Sequence, residues 1–301
     1  MYDIIVIGGG PAGLTAALYA LRADKSVLII EKETFGGQIT HSPKVENYPG
    51  FAEMSGNEFA DKLLDQVLAQ GAEIELEKVT GIKDGDVKTV VTEDGEYEAK
   101  AVVIAVGVKH RMLGAPGEAE LVGHGISFCA VCDGAFYKDL DVAVIGGGNS
   151  ALQEAILLAK TSKSVTVVQN LDYLTGEARL QNALTAEPNV KIILGSVVKE
   201  FKKSSDGKLA GVVISGKDGD MELTVDGVFV AIGLIPENKP FEELAELNGY
   251  GYFDTDESCV TKTPGVFVAG DCRSKRIRQI TTATADGAVA ALAACEYIDR
   301  K

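Results

Sequence analysis

A chain of 301 residues is too long for one comfortable hydrophobic core and long enough for two domains. With 34 glycines, 46% hydrophobic and only 6% aromatic residues, it suits α/β layering, where small residues let helices sit close on a sheet. A net charge of −15 argues against nucleic acid as a partner, because neutralising phosphates requires a basic surface.

Asp3 to Ile7 reads as a short buried strand, followed by a turn with Gly8, Gly10 and Gly13 and a helical run from Leu14 to Ala23. The strand Ser26 to Glu31 comes next. The apolar run from Ile4 to Leu21 lacks a basic leader and is broken by Gly8, Gly9, Gly10 and Pro11, so it does not read as a signal peptide. No other stretch is long and apolar enough to span a bilayer, and a cytoplasmic protein with no membrane partner is expected. Residues 72–106 read as short strands broken at Asp84-Gly85 and Asp94-Gly95, ending in the apolar run Ala101 to Gly107.

Cys129-Ala-Val-Cys132 is the one close pair among five cysteines, an intracellular redox pattern and not an extracellular scaffold. Two thiols separated by two residues close a ring reversibly, and the spacing favours a reactive thiolate. Asp133 follows at once, a carboxyl placed to exchange the protons of each half-reaction. Zinc is the first competing reading. It wants four ligands, but there is no second such pair, His124 is the only nearby histidine, and Cys259, Cys272 and Cys295 are distant in sequence. Inert core cysteines are the second, opposed by Gly123, Gly125 and Gly134, which suggest an exposed loop.

From Asp141 the opening pattern returns at an offset of 138 positions. Asp3 to Ile7 is answered by Asp141 to Ile145, Gly8, Gly10 and Gly13 by Gly146, Gly148 and Ala151, and Ser26 to Glu31 by Ser164 to Gln169. Two strand–turn–helix–strand units at one register predict an α/β fold of two Rossmann-like domains, doubly wound and three-layered. In such a turn a pyrophosphate meets the helix N-terminus, where free N–H groups favour an anion. Glu31, 21 positions after Gly10, is placed to accept hydrogen bonds from an adenosine ribose. In the second unit the glycines are equally explained by strand–helix packing without a ligand.

Residues 190–232 repeat the β-rich pattern, Gly265 to Asp271 is a further strand ending in a turn, and 281–298 is an alanine-rich helix. The expected division is 1–112 and 241–301 as one domain, with 113–240 inserted and hinges near Pro116 and Pro236 to Pro240.

Six segments carry a resemblance over nearly the whole chain: Gly8-Gly-Gly-Pro-Ala-Gly13, Gly36-Gly-Gln-Ile-Thr40, Val45-Glu-Asn-Tyr-Pro-Gly50, Cys129-Ala-Val-Cys-Asp133, Gly270-Asp-Cys272 and Arg278-Gln279. In these the chain resembles the low-molecular-weight thioredoxin reductases, of the pyridine nucleotide-disulfide oxidoreductase type. The resemblance implies FAD as cofactor, with Gly8, Gly10, Gly13 and Glu31 on its ADP half. It places Gln38, Thr40 and Asn47 along the flavin, and Asp271 and Gln279 on the ribityl chain and isoalloxazine ring. Cys132 would face the flavin, Cys129 would attack thioredoxin, and Asp133 would be the acid–base. A homodimer that alternates between two domain orientations is also implied.

One segment departs from that pattern. Where the family carries His-Arg-Arg and a further Arg to clamp the 2′-phosphate of NADPH, this chain has Gln169, Asn170, Leu171 and Thr175. Losing three arginines forfeits on the order of several kcal/mol of phosphate affinity. No acid stands at 169 to grip a free ribose hydroxyl, although Gln169 can still hydrogen-bond one. The chain thereby resembles a branch of the family linked to ferredoxin, and reduced ferredoxin is the favoured electron donor. Lys109, Arg111, Lys275, Arg276 and Arg278 are a candidate docking patch. The alternatives are an NADH- or NADPH-dependent reductase, a flavin dithiol oxidase using oxygen, and a flavin redox sensor that is not an enzyme.

Overall fold

The computed structural model describes residues 1–42, 44–217 and 219–301. The chain opens with β1 (Tyr2–Ile7), α1 (Pro11–Arg22), β2 (Val27–Glu31) and α2 (Gly56–Ala69). Strands β3 (Glu73–Leu76), β4 (Val79–Lys83), β5 (Lys88–Thr92) and β6 (Glu96–Ile104) follow, then β7 (Val108–His110). Next come α3 (Glu118–Leu121), β8 (Ile126–Ser127), α4 (Ala130–Asp133), β9 (Asp141–Ile145), α5 (Asn149–Ala159), β10 (Ser164–Val168) and α6 (Ala178–Thr185). Five strands succeed them: β11 (Val190–Ile193), β12 (Val197–Lys203), β13 (Leu209–Gly216), β14 (Gly219–Leu223) and β15 (Gly227–Val230). β16 (Leu234–Pro236), β17 (Val266–Val268) and the long helix α7 (Ile280–Asp299) complete the chain.

These elements form two compact units, Met1–Lys109 with Ile235–Lys301, and His110–Leu234. The chain passes between them at β7 and β16, which pair with each other. Pro116 lies within the second unit, where its carbonyl accepts the Phe201 N–H.

In the first unit the sheet order is β3-β2-β1-β6-β5-β4, with β17 also against β6. β3, β2, β1, β6 and β17 are parallel, and β5 and β4 continue the sheet by antiparallel pairing. The period of two along β1 sorts its side chains. Ile4 and Val6 join Leu14, Ala16 and Ala17 of α1 and the alanines of α7, while Ile5 and Ile7 join Phe241, Leu244 and Phe253 on the other face. Both faces are therefore covered, which is why β1 is apolar at every position from Ile4 to Ile7. α1 begins at Pro11, three residues earlier than the hydrophobic pattern suggests, because proline's missing N–H costs nothing at a first helical position. Helices α1 and α7 approach closely: a Cβ on Gly287 would stand 2.1 Å from the Ala12 carbonyl oxygen.

The second unit repeats the plan. A parallel sheet, β11-β10-β9-β15-β8, carries α5 on one face through Val142, Val144, Ala151, Leu152 and Ala155. Ala143 and Ile145 point the other way, into the antiparallel sheet β12-β13-β14 through Phe201, Val212 and Ile214. The expected α/β class, doubly wound and three-layered, is present in both units. No helix among the described residues is long and apolar enough to cross a membrane.

Candidate active site

The first glycine turn separates packing from ligand space. Gly8 has φ +109, and a Cβ there would lie 2.4 Å from the Ala105 carbonyl oxygen. A Cβ on Gly13 would lie 1.9 Å from the Gly8 carbonyl oxygen. Those two glycines are demanded by helix-on-strand contact alone. Gly10 is different, because its nearest neighbours would be 4.0 Å away. It is the N-cap of the 12-residue helix α1 and supplies no side-chain cap, so open space faces the free N–H groups of the first turn. Beside this space Glu31 is fixed through both oxygens, one accepting the Gly9 N–H at 2.7 Å and the other the Glu33 N–H at 2.9 Å. An anion at the helix end and a ribose at Glu31 would fit these groups.

The C-terminal segment returns to the same turn. A Cβ on Gly270, at φ +81, would be 2.7 Å from the Ala12 side chain, which brings Asp271 close to the start of α1. Asp271 Oδ1 is fully buried and has no hydrogen-bond partner. Burial is the main cause that pushes its carboxyl from 3.8 up to about 6, opposed by Lys275 and Arg278. Such an orphan acceptor suits a hydroxyl-bearing ligand chain. Gln279 caps α7 in a reciprocal box with Thr282, and Asn47 Nδ2 donates to Gln279 Oε1 at 3.2 Å. Gln38 and Thr40 stand on a short 3-10 turn, Gly37–His41; Gln38 is exposed, and Thr40 Oγ1 donates to the Gly37 carbonyl at 2.8 Å. The structure thus joins Asn47 to Gln279.

The Asp271 environment has a stability consequence. The unfolded chain ionises this group near 3.8 and the flavin-free fold near 6, so the fold loses stability as pH rises between those values and stays lower above them. Asp271→Asn is expected to stabilise the flavin-free protein by on the order of 2 kcal/mol at about pH 7.5, and to change little below about pH 4. Denaturant unfolding at the two pH values checks this, and equal stability at the higher pH would remove burial as the cause.

Around Asp286 the structure draws one residue, Lys275, out of the expected docking patch. Asp286 pairs with the fully buried Arg273 at 2.8 Å and with Lys275 at 2.9 Å, and accepts the Gly270 N–H at 3.0 Å. Lys275 is therefore an internal counter-charge. Lys109 pairs with Glu33 at 2.7 Å, and Arg278 lies over the Tyr252 ring and donates to two backbone carbonyls. Arg276 remains as an exposed cation on this stretch.

In the second unit Cys129 and Cys132 form a disulfide, with Cα atoms 5.3 Å apart. Cys129 is the N-cap of α4, and its sulfur accepts the Cys132 N–H at 3.2 Å. Ser127, at the end of β8, organises the other side. Its hydroxyl donates to Asp133 Oδ2 at 2.6 Å and accepts the Cys129 N–H at 3.1 Å. Asp133 is also felt by Tyr137, whose hydroxyl is pushed up to about 12 by burial and then by the charges of Asp133 and Asp226. Val131, between the two cysteines in sequence, is 60% exposed, so this loop stands at the surface. The three expected catalytic residues are together. Ser127 escaped the sequence reading, its only signal being a hydroxyl two positions before the first cysteine.

The family model for pyridine nucleotide-disulphide oxidoreductases matches residues 2–287. A thioredoxin reductase of Listeria monocytogenes is 42% identical over 301 residues, covering 99% of this chain and 94% of that one. The crystal structure of thioredoxin reductase from Streptococcus pyogenes MGAS5005 superposes with a TM-score of 0.96 at 43% identity, covering 100% of this chain and 99% of that one. A 34.2 kDa protein in a rubredoxin operon of Clostridium pasteurianum is 44% identical, covering 99% of this chain and 98% of the relative. The chain belongs to the thioredoxin reductase family. Members of this family are FAD-binding flavoproteins, and FAD is the cofactor. The open helix end, Glu31 and the orphan oxygen of Asp271 fit it.

Against that family background the second glycine turn is altered by its own chain. It keeps the geometry of the first: Gly146 has φ +133, and a Cβ there would be 2.5 Å from the Ala231 carbonyl oxygen. Yet the segment after β10 folds back over it. The N–H groups of Thr175 and Gly176 both donate to the Gly147 carbonyl at 2.9 Å. At the first residue of α5, Asn149 Nδ2 donates to Glu177 Oε1 at 3.0 Å, and Glu177 N–H returns a bond to Asn149 Oδ1 at 2.7 Å. Gln169 is buried, with its amide over Gly147 and bonded to Asn170 N–H at 3.2 Å and the Tyr173 carbonyl at 3.4 Å. A carboxylate therefore stands at the helix start, and the Gln169 amide is engaged with its own loop.

Proposed function

We propose that this protein is an FAD-dependent thioredoxin reductase that takes electrons from reduced ferredoxin instead of a nicotinamide. The disulfide of Cys129 and Cys132 beside Asp133 carries the reductase reading. The donor reading rests on the second turn. A phosphate clamp needs cations, and this chain has Gln169, Asn170, Leu171 and Thr175 there, with Asp172 and Glu177 as the neighbouring charges. Lys217 is a nearby cation and is paired with Asp172 at 3.2 Å, and Arg179 follows two residues after Glu177. The relative in a rubredoxin operon adds support from the company of a one-electron iron carrier. The resemblance also implies a homodimer, which we retain.

Gly10, Glu31, Asp271 and Gln279 would hold the cofactor, with Gln38, Thr40 and Asn47 along the flavin. Bound FAD supplies the electron pair that opens the disulfide between Cys129 and Cys132. The Cys129 thiolate then attacks a sulfur of the thioredoxin disulfide, forming a mixed disulfide and releasing one thioredoxin thiolate. Cys132 attacks the Cys129 sulfur, re-forming the enzyme disulfide and releasing the second thioredoxin thiol. Two electrons and two protons leave the enzyme in each cycle. Asp133, held by Ser127, is placed to pass those protons.

Anaerobic titration with NADPH and then NADH, following the visible absorbance of the flavin, tests the donor. Neither nucleotide is expected to bleach it, while reduced ferredoxin does. Prompt bleaching at near-stoichiometric nucleotide would overturn the ferredoxin reading and favour a nicotinamide-dependent reductase.

A further inference from the structure

Phe128 stands between the two residues that frame the redox loop. Ser127 before it donates to Asp133 and accepts the Cys129 N–H, and Cys129 follows it directly. The Phe128 ring is half-buried against the cluster that includes Leu121, Ile126 and Val228. It also meets His110: the ring centroids are 4.6 Å apart and the planes 15° from parallel. His110 ends β7, and the next residue, Arg111, is held through its N–H on the Gly233 carbonyl at 3.0 Å. Both rings belong to the second unit, the one that carries the cysteines.

The two holds on the loop act differently. The Ser127 hydroxyl fixes the Cys129 N–H, but a single bond to a hydroxyl leaves the backbone at 128 free to turn about it. A parallel ring pair does not, because its attraction depends on the mutual placement of the two faces. Any change in φ or ψ at 128 swings the ring off His110 or off the core beneath it. The stack therefore resists the rotations that would redirect Cys129, whose own backbone is extended at φ −150° and ψ 101° where α4 begins.

We propose that His110 is a positioning residue for the redox pair, whose ring holds Phe128 and so preorganises the Cys129 sulfur to close on Cys132. Closing joins the two sulfurs and passes two electrons and two protons to the disulfide being reduced; opening is the reverse. A loop already held in the closing geometry loses less freedom on closure, so the stack favours the disulfide over the dithiol. This rests on Cys129 and Cys132 being the redox pair, and on nothing about donor or acceptor.

The test reads the redox equilibrium of the pair. The holoenzyme is equilibrated anaerobically at about pH 7 with mixtures of reduced and oxidised dithiothreitol, quenched in acid and alkylated, and the Cys129–Cys132 peptide is quantified by mass spectrometry. His110→Ala is expected to shift the equilibrium about fivefold toward the dithiol, which is about 1 kcal/mol and the order of one aromatic pair. His110→Phe restores a flat ring and is expected to return the equilibrium to within about twofold of the parent. A parental equilibrium in His110→Ala would overturn the proposal. An equal shift in both variants would overturn it too, by assigning the effect to the imidazole nitrogens and not to the stack. Phe128→Leu keeps apolar packing without the flat face and should reproduce His110→Ala; it decides the question if that variant does not fold. Flavin-to-protein ratios are expected to be parental throughout, and a shift found only in variants that have lost flavin would mark a general structural role and overturn the proposal. The expected shifts in a protein inactive toward thioredoxin would sink the proposed function and leave this inference standing; parental equilibria in an active reductase would do the opposite.

Discussion

Cys132→Ser is expected to lower thioredoxin-linked turnover by on the order of 10³-fold or more and to trap thioredoxin on the enzyme as a mixed disulfide through Cys129. The trap follows from the proposed order of attack. Without Cys132 nothing inside the enzyme can resolve the bond between Cys129 and the substrate. Cys129→Ser is expected to be equally inactive but to trap nothing. Both proteins should fold, because turnover already requires the pair to open. Non-reducing electrophoresis of each variant, pre-reduced and mixed with oxidised thioredoxin, reads the outcome. Trapping by Cys129→Ser and not by Cys132→Ser would reverse the assignment, and trapping by neither would remove the mixed-disulfide route.

The second large effect lies in the first glycine turn, where two glycines three positions apart should fail in different ways. Gly13→Ala places a methyl group 1.9 Å from the Gly8 carbonyl oxygen and 3.2 Å from Val6, both in the packed seam between β1 and α1. Helix and strand must separate, and a loss of about 3 kcal/mol or more of fold stability is expected along with the flavin. Gly10→Ala meets nothing closer than 4.0 Å, and its φ of −79° is open to alanine. Its fold stability should stay within about 0.5 kcal/mol of the parent, while FAD affinity drops at least about tenfold as the methyl enters the space before the helix end. Denaturant unfolding of the flavin-free proteins, set beside their flavin-to-protein ratios, separates the two. Full flavin retention by Gly10→Ala would show that this space holds no part of the cofactor.

Local signals carried far because they are properties of neighbouring residues. Ile4 to Ile7 and Val142 to Ile145 declare strands buried on both faces, and the glycines after each declare the turn, whatever lies around them. A repeat at one offset then made two units of one plan, and the family segments pointed to Cys129, Cys132 and Asp133, which lie together in the fold. The missing cations at 169–171 and 175 were equally plain, since a charge is present or absent in the sequence itself.

Other features are decided by distance in space between residues remote in the chain. Lys275 reads as a surface cation, and only the return of α7 buries it against Asp286. Asp271 reads as a polar turn residue until the fold buries one of its oxygens without a partner. Glycines at 146 and 148 describe a turn able to receive a phosphate, but the sequence cannot show Glu177 at the helix start or Gln169 engaged by its own loop. Hydrophobic period, glycine spacing and cysteine spacing act within a few residues, so the sequence determined strands, turns and the close cysteine pair. Burial and pairing of charge arise between distant segments, so the tertiary structure alone decided which polar groups are engaged and which remain open to a ligand.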